Sequence, residues 1–427
     1  FGVCTHFRYI WNPQMIPLIA KMGVKSIRDE LYWSEIELQK GVYTFPAKYE
    51  TYMSELEQNS LNPLIILGFV NQHYDNGATP YTPAGRQGFA NYGKEIIDHY
   101  GDQIRWVEVY NEFNDPYFGD LGNGDADARP DFYYELLEKT YTEIKAKDPS
   151  VKVVGPATSK IPWEWLEDLF ELGALDYLDA VTIHPYRHPD SPEGFIEDME
   201  QLDSMIRDNN NGEPKPIWVT EIGWPTEEHP QAADEKTQAD YLVRNHVISL
   251  AHGVEKIYWY DFMNDGLDKT YAEHNFGLVG NVNDDSGPYA PKPAYVAYAE
   301  LVRQLTGAEF QEQEVIDDNV YIYTFDKEGN DIKVLWSEDM QDVTLTADTA
   351  VTVTDVMGNE ETYVPYNGKV YLTVSGDPVY VKGNVTDVEA GSIVEMHAEY
   401  SIAGEELPVQ LKVDNSSNDE EITVKFE

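Results

Sequence analysis

The stretch RWVEVYNEFND, residues 105–115, decides the fold. Trp106, Val107, Val109 and Tyr110 make a short apolar run of strand type. The run stops at Asn111-Glu112, and Asn114, Asp115 and Pro116 open a loop. A carboxylate and an amide at the end of a core strand suit a parallel barrel, whose strand C-termini all face one cleft.

Outward from this stretch the pattern repeats. Short apolar runs at Gly2–His6, Lys25–Asp29, Pro63–Phe69, Trp106–Tyr110, Val151–Gly155, Ala180–Ile183, Ile217–Glu221 and Lys256–Tyr260 read as strands covered on both faces. Amphipathic stretches near Pro13–Met22, Tyr49–Gln58, Gly85–Tyr100, Asp131–Lys147, Trp163–Leu172, Gly194–Asn209, Glu235–His252 and Lys292–Leu305 read as helices. Asn12-Pro13 and Pro130-Asp131 carry helix-start signals. Strand and helix in strict alternation predict an α/β fold, a (β/α)8 TIM barrel over residues 1–306. After residue 307 the texture changes to period-two alternation, as in VYIYTFD, IKVLWSED, VTLTAD and KVYLTVSG. This predicts a C-terminal antiparallel β sandwich over 307–383, then a short β extension or partial third module over 384–427.

Composition narrows the function classes. The chain has 427 residues, 42% hydrophobic and 13% aromatic, enough for a large core. Its 77 acidic and 30 basic residues give a formal charge of −47, which opposes nucleic acid and anionic membranes as partners. The charge itself reads as solubility or adaptation to salt. No window approaches ~18 consecutive apolar residues, so no membrane span is expected. The single cysteine, Cys4, excludes an internal disulfide framework and, from its place in the first strand, is expected to be a buried thiol. Phe1 rather than Met stands first, as expected of a processed product or an excised segment.

The strand ends carry the chemistry. Strand four ends in Asn111 and Glu112, strand seven in Glu221, strand two brings Arg28 with Trp33 beyond it, and strand three leads to His73. Strand six gives His184 and Tyr186, and strand eight gives Trp259 and Asp261. Glu112 and Glu221 lie on opposite sides of the predicted lumen. A carboxyl pair across a cleft is what cleavage of a glycosidic bond requires. One must stay protonated for the leaving oxygen; the other must be ionised. A separation of ~5–5.5 Å would mean retention of anomeric configuration, and ~6.5–9.5 Å inversion. Arg28 would favour the ionised form of Glu221. Glu112 needs a raised pKa from burial or from its like-charged partner. Asn111 is expected to bind a sugar hydroxyl, and Trp224 and Trp259 to offer flat faces to pyranose rings. Trp33, His73, His184, Tyr186 and Asp261 complete the candidate substrate-binding set. No His-x-x-His or Glu-x-x-His zinc pattern, Walker loop or dinucleotide fingerprint is present, so neither metal nor organic cofactor is expected.

On these residues the barrel resembles clan A of the glycoside hydrolases. VYNEFND is similar to the clan's Asn-Glu acid/base motif, which implies Glu112 as acid/base and Asn111 as the contact to the 2-hydroxyl. VTEIGWPT resembles its nucleophile strand, implying Glu221, and HPYR its His-x-Tyr strand ending. SIRDELYWSEIELQKGVYTF is similar to an Arg…Trp…Glu…Gly-x-Tyr-x-Phe passage of glycoside hydrolase family 39, where the arginine supports the nucleophile. Phe113 departs from the proline that many members carry after the acid/base residue. The resemblance covers residues 1 to about 306 and implies a retaining β-glycoside hydrolase acting on β-linked oligo- or polysaccharide, with endo action on a bacterial or plant polysaccharide preferred. An exo-acting β-xylosidase-like enzyme, a transglycosylase on the same residues, and a non-catalytic carbohydrate-binding barrel are the alternatives. Polymeric substrates imply an extracellular or cell-surface location. The β region is expected to pack or space rather than bind sugar. Oligomeric state is left open.

Overall fold

The computed structural model describes residues 1–9, 11–119, 129–317, 319–391, 394–398 and 409–413, the last two stretches through their backbone. The chain divides into two compact units, Phe1–Thr306 and Gly307–Glu427.

The first unit is a closed barrel of eight parallel strands in sequence order: β1 Gly2–Cys4, β2 Ser26–Tyr32, β3 Asn62–Gly68, β4 Trp106–Val109, β5 Lys152–Ser159, β6 Ala180–His184, β7 Ile217–Ile222 and β8 Val254–Trp259. Pairing of β1 with β8, Val3 beside Trp259, closes the ring. The main covering helices are α1 Ile16–Lys21, α2 Trp33–Ile36, α3 Ala47–Gln58, α4 Pro83–Tyr100, α5 Arg129–Lys147, α6 Trp163–Glu171, α7 Phe195–Asn209, α8 Glu235–Ala251 and α9 Pro293–Leu305. The predicted helix at Pro13 begins as one 3₁₀ turn, Pro13–Met15, capped by the Asn12 side chain.

Strand alternation sorts the side chains into two layers. Cys4, Leu64, Val154, Ala180, Trp218 and Tyr258 pack together with Trp106 and Tyr260. Intervening residues pack under the helices. The Cys4 thiol is buried and donates to the Thr220 carbonyl at 3.3 Å, a packed group as expected. Apolar bulk fills much of the lower lumen, and the polar side chains gather above it toward the C-terminal strand ends.

The second unit holds a six-stranded sheet and a three-stranded sheet. The six-stranded order is β14 Glu360–Tyr363, β13 Val351–Thr354, β16 Val379–Lys382, β11 Asn330–Ser337, β10 Val320–Lys327 and β9 Glu309–Ile316. The three-stranded order is β15 Lys369–Val374, β12 Gln341–Ala347 and β17 Val385–Ala390. Leu335, Val343, Leu345, Val351, Leu372 and Val381 share one apolar core, so alternation read from sequence does bury one face of each sheet. The sequence boundary at 383 falls inside this arrangement. Val385–Ala390 pairs with β12, Leu345 opposite Val388. β18 Val394–Ala398 and β19 Val409–Val413 form a separate two-stranded pair. The remainder of the predicted extension lies outside the described residues. Among the described residues no helix is long and apolar enough to cross a membrane.

Candidate active site

Arg28 organises the top of the lumen. It projects from the middle of β2 and is 3% exposed. Its Nε donates to Glu108 Oε2 at 2.6 Å, Nη1 donates to Glu221 Oε1, and Nη2 donates to Asn111 Oδ1 at 2.7 Å. Nη2 also lies 3.3 Å from His184 Nε2. One rigid planar cation thus holds groups from β4, the loop after it, β6 and β7. Glu108 is fully buried, and its Oε1 has no hydrogen-bond partner among the described residues. The strand reading of residues 105–115 passed over it. Its signal was present, because Trp106 and Glu108 are two apart and so share the lumen face.

The two glutamates meet as expected. One carboxylate oxygen of Glu112, one of Glu221 and a ring nitrogen of His184 all lie within 4.8 Å of one another. Tyr186 donates its hydroxyl to Glu221 Oε2 at 2.9 Å. His184 Nδ1 is 2.9 Å from Glu112 Oε1, and Nε2 is 3.1 Å from Thr220 Oγ1. Arginine can only donate, so the Arg28 contact makes Nε2 the lone-pair side of the imidazole. Nδ1 then carries the proton and donates to Glu112. Burial pushes the His184 pKa down to about 4, so the ring is neutral near pH 7. Burial pushes Glu112 up to about 7, against a lowering by Arg28 and with a smaller raise from Asp115.

Local backbone irregularity aims these groups. Tyr110 and Glu112 have φ of 68° and 46°, in the left-handed region that side-chain-bearing residues avoid at a cost of about 1–3 kcal/mol each. The turn is fixed by Tyr110 N donating to Leu67 O (3.0 Å) and Glu112 N donating to Ala157 O (2.8 Å). On the other side, pairing between β7 and β8 shifts register between Val219 and Ile222. Regular alternation would send Thr220 and Glu221 to opposite faces. With the irregularity, both reach the His184 cluster.

Arg28, Asn111, His184 and Tyr186 therefore join the glutamates. The tryptophans do not. Trp33, Trp224 and Trp259 are all 0% exposed and offer no face to a ligand. Trp33 stacks on Tyr74 at 4.9 Å and donates to Glu37. Trp224 and Trp259 stack on each other at 6.0 Å, against Tyr241 and His246 of α8. The reason is parity: Tyr258 and Tyr260 take the inner positions, which puts Trp259 under the helices. Tyr260 is the aromatic residue that the sequence reading missed by one position. Its ring lies 6.2 Å from Tyr186, and its hydroxyl donates to Glu273 Oε2 at 3.2 Å. His73 is exposed, and its hydrogen bonds run to Leu38, Asn71 and Lys40 rather than to the cluster. Asp261 is 1% exposed and belongs to a second group with His6 and Asp265. Trp259→Ala is expected to destabilise the barrel by about 3–5 kcal/mol in denaturant titration, with KM unchanged. A rise in KM without loss of stability would return this residue to the cleft.

Comparison with known proteins finds glycoside hydrolases. The family described as "Glycosyl hydrolase catalytic core" matches residues 88–284, a span that holds both glutamates. A β-xylosidase of Geobacillus stearothermophilus is 26% identical over 270 residues, 57% of this chain and 49% of the relative. The chain thus spans about half the length of the curated relative it matches. A family 39 glycoside hydrolase from the gut symbiont Bacteroides cellulosilyticus has a similar structure, with TM-score 0.76 and 26% identity over 90% of this chain and 80% of that one. Two further structures share the fold. A family 39 β-xylosidase from Caulobacter crescentus has TM-score 0.61 and 18% identity, over 90% of this chain and 95% of that one. A family 30 endoxylanase from Clostridium papyrosolvens has TM-score 0.62 and 12% identity, over 90% and 96%. Residues 88–284 of this chain thus resemble a glycosyl hydrolase catalytic core, and its structure is similar to that of a family 39 glycoside hydrolase.

Proposed function

We propose that the chain is a retaining β-glycoside hydrolase in which Glu221 is the nucleophile and Glu112 the acid/base. The observation that carries this reading is the approach of the two carboxylates to within 4.8 Å. So close an approach of one oxygen from each group suits direct attack on the anomeric carbon better than a water held between the two carboxyls, which needs them ~6.5–9.5 Å apart. Arg28 and Tyr186 hold the two oxygens of Glu221, so its charge is placed before substrate arrives. Attack by Glu221 forms the covalent glycosyl ester as the Glu112 proton passes to the departing oxygen. Glu112, now ionised, takes a proton from the incoming water, and the ester breaks with a second inversion. His184 Nδ1–H, bound to Oε1, leaves the other oxygen of Glu112 for that proton traffic. Asn111, its Oδ1 held by Arg28, is left with its amide hydrogens for a sugar hydroxyl.

For substrate we propose β-linked oligo- or polysaccharide attacked within the chain, with β-xylan and β-xylosides first in line because xylosidases and an endoxylanase are among the similar proteins. Action on such polymers goes with an extracellular or cell-surface location. A covalent intermediate also permits transfer to a sugar acceptor, separated from hydrolysis by product analysis with added acceptor.

Proton NMR of the first product tests the mechanism: the β anomer is expected before mutarotation, and the α anomer overturns it. The pH profile tests the roles. Glu112 must be protonated to act, and its pKa is raised to about 7. kcat/KM is therefore expected to fall above about pH 7, tenfold per pH unit. A limb that persists in Glu112→Gln would take the acid role from this residue.

A further inference from the structure

Beside the carboxylate pair, a second cluster has no part in the proposed reaction. His6 follows β1, and Asp261 and Asp265 follow β8. One ligand atom from each lies within 4.8 Å of the others. His6 Nδ1 is 3.1 and 3.0 Å from the two oxygens of Asp265. Trp11 Nε1 donates to Asp265 Oδ1 at 3.2 Å.

Asp261 is the informative member. It is 1% exposed, and among the described residues neither of its carboxylate oxygens has a hydrogen-bond partner. An ionised carboxylate so placed costs several kcal/mol unless something compensates it. Lys292 does not close that gap by contact, since its ammonium donates to Thr226 Oγ1 and the Asn275 carbonyl. The carboxylate instead faces an imidazole and a second carboxylate.

We propose that His6, Asp261 and Asp265 bind a divalent transition-metal ion, zinc or manganese, that ties the end of β1 to the loop after β8. One imidazole and two carboxylates make a donor set these ions accept, and the nitrogen argues against calcium or magnesium. His6 and Asp265 are about one fifth and one quarter exposed, which leaves a side for water ligands. Binding takes the His6 lone pair at Nδ1, Asp265 Oδ2 and one Asp261 oxygen. It releases the proton between His6 and Asp265, and that of Asp261 when neutral. Asp265 Oδ1 keeps its bond from Trp11. The cluster also borders the cleft, for the His6 ring is 5.6 Å from Tyr260. A bound ion would fix the loop that carries Tyr260, without touching the reacting carbon.

The test needs no turnover. The full chain is loaded with zinc or manganese chloride and passed over gel filtration, and metal is counted by mass spectrometry alongside thermal unfolding. One equivalent of metal per chain is expected, with a rise in Tm of about 5 °C at a hundredfold excess over Kd. Both are expected to vanish in Asp261→Asn and His6→Gln and to survive in Glu221→Gln, which dismantles the other His–carboxylate cluster. Asp261→Asn keeps the shape and removes a buried unpaired charge, so its metal-free Tm should equal or exceed that of the native chain. Asp265→Asn, nearer the surface, serves as the second variant. No retained metal and no shift, or retention in Asp261→Asn, overturns the site. Loss in Glu221→Gln alone would move the ion to the carboxylate pair. Equal shifts with magnesium or calcium would overturn the choice of ion.

Discussion

Glu221→Gln is expected to lower kcat/KM by on the order of 10⁴-fold or more while leaving Tm within a few degrees of native. Glutamine keeps the shape of the side chain and an oxygen for Arg28, so the fold has little to lose. It has no charge with which to attack a carbon. Losing the covalent route raises the barrier by more than about 5 kcal/mol, which sets that scale. The comparison variant is Glu112→Gln. Its first step should suffer much less on aryl glycosides whose leaving group departs without a proton, because Glu112 is asked only for that proton. If Glu221→Gln retains a tenth of native activity, the nucleophile lies elsewhere.

Arg28→Leu is expected to damage stability and activity together. The guanidinium is the direct partner of Glu108, Glu221, Asn111 and His184. Removing it leaves the Glu108 carboxylate fully buried with neither oxygen paired among the described residues. Breaking such a pair from one side costs about 3–5 kcal/mol, mostly the price of the abandoned charge. Adding Glu108→Leu should recover a large part of that loss without restoring turnover, since Glu221 and Asn111 remain unheld. Equilibrium denaturation of the single and double variants measures it. An Arg28→Leu chain as stable as the native one would overturn this account of the Arg28–Glu108 pair. Arg28→Lys should fall between, because a single ammonium cannot reproduce the fork that joins four partners.

These two variants separate what is chemical from what is architectural. Glu221 sits at the rim of the lumen and is partly exposed, so its loss is felt only in the reaction. Arg28 sits one layer down, where the apolar filling of the barrel ends. A cation there serves two masters, a structural carboxylate below and a reacting one above. The cluster at His6 follows the same logic at the neighbouring ends of β1 and β8, where polar groups begin as the packed lumen stops.

By itself the sequence determined the barrel, its eight strands and the two glutamates, because each depends on local information. Apolar runs set the strands, and the C-terminal ends of parallel strands open on the common cleft. Arg28, Asn111, His184 and Tyr186 were legible for the same reason. The sequence did not determine which way a side chain leaves a strand once the backbone is irregular. Parity at β8 sent Trp259 under α8 and Tyr260 into the cleft. The register shift in β7 brought Thr220 and Glu221 to one side, against simple alternation. Trp224 was read as a ligand platform and Trp33 as a substrate contact, but both are core, since a flat aromatic ring satisfies either demand and only its neighbours decide. Glu108 and His6 looked like ordinary residues in the chain, and Asp261 was read as a substrate contact rather than as a member of a second cluster. Their meaning lies in burial and in partners up to 259 positions away, as from His6 to Asp265, and distance along the sequence carries no trace of that.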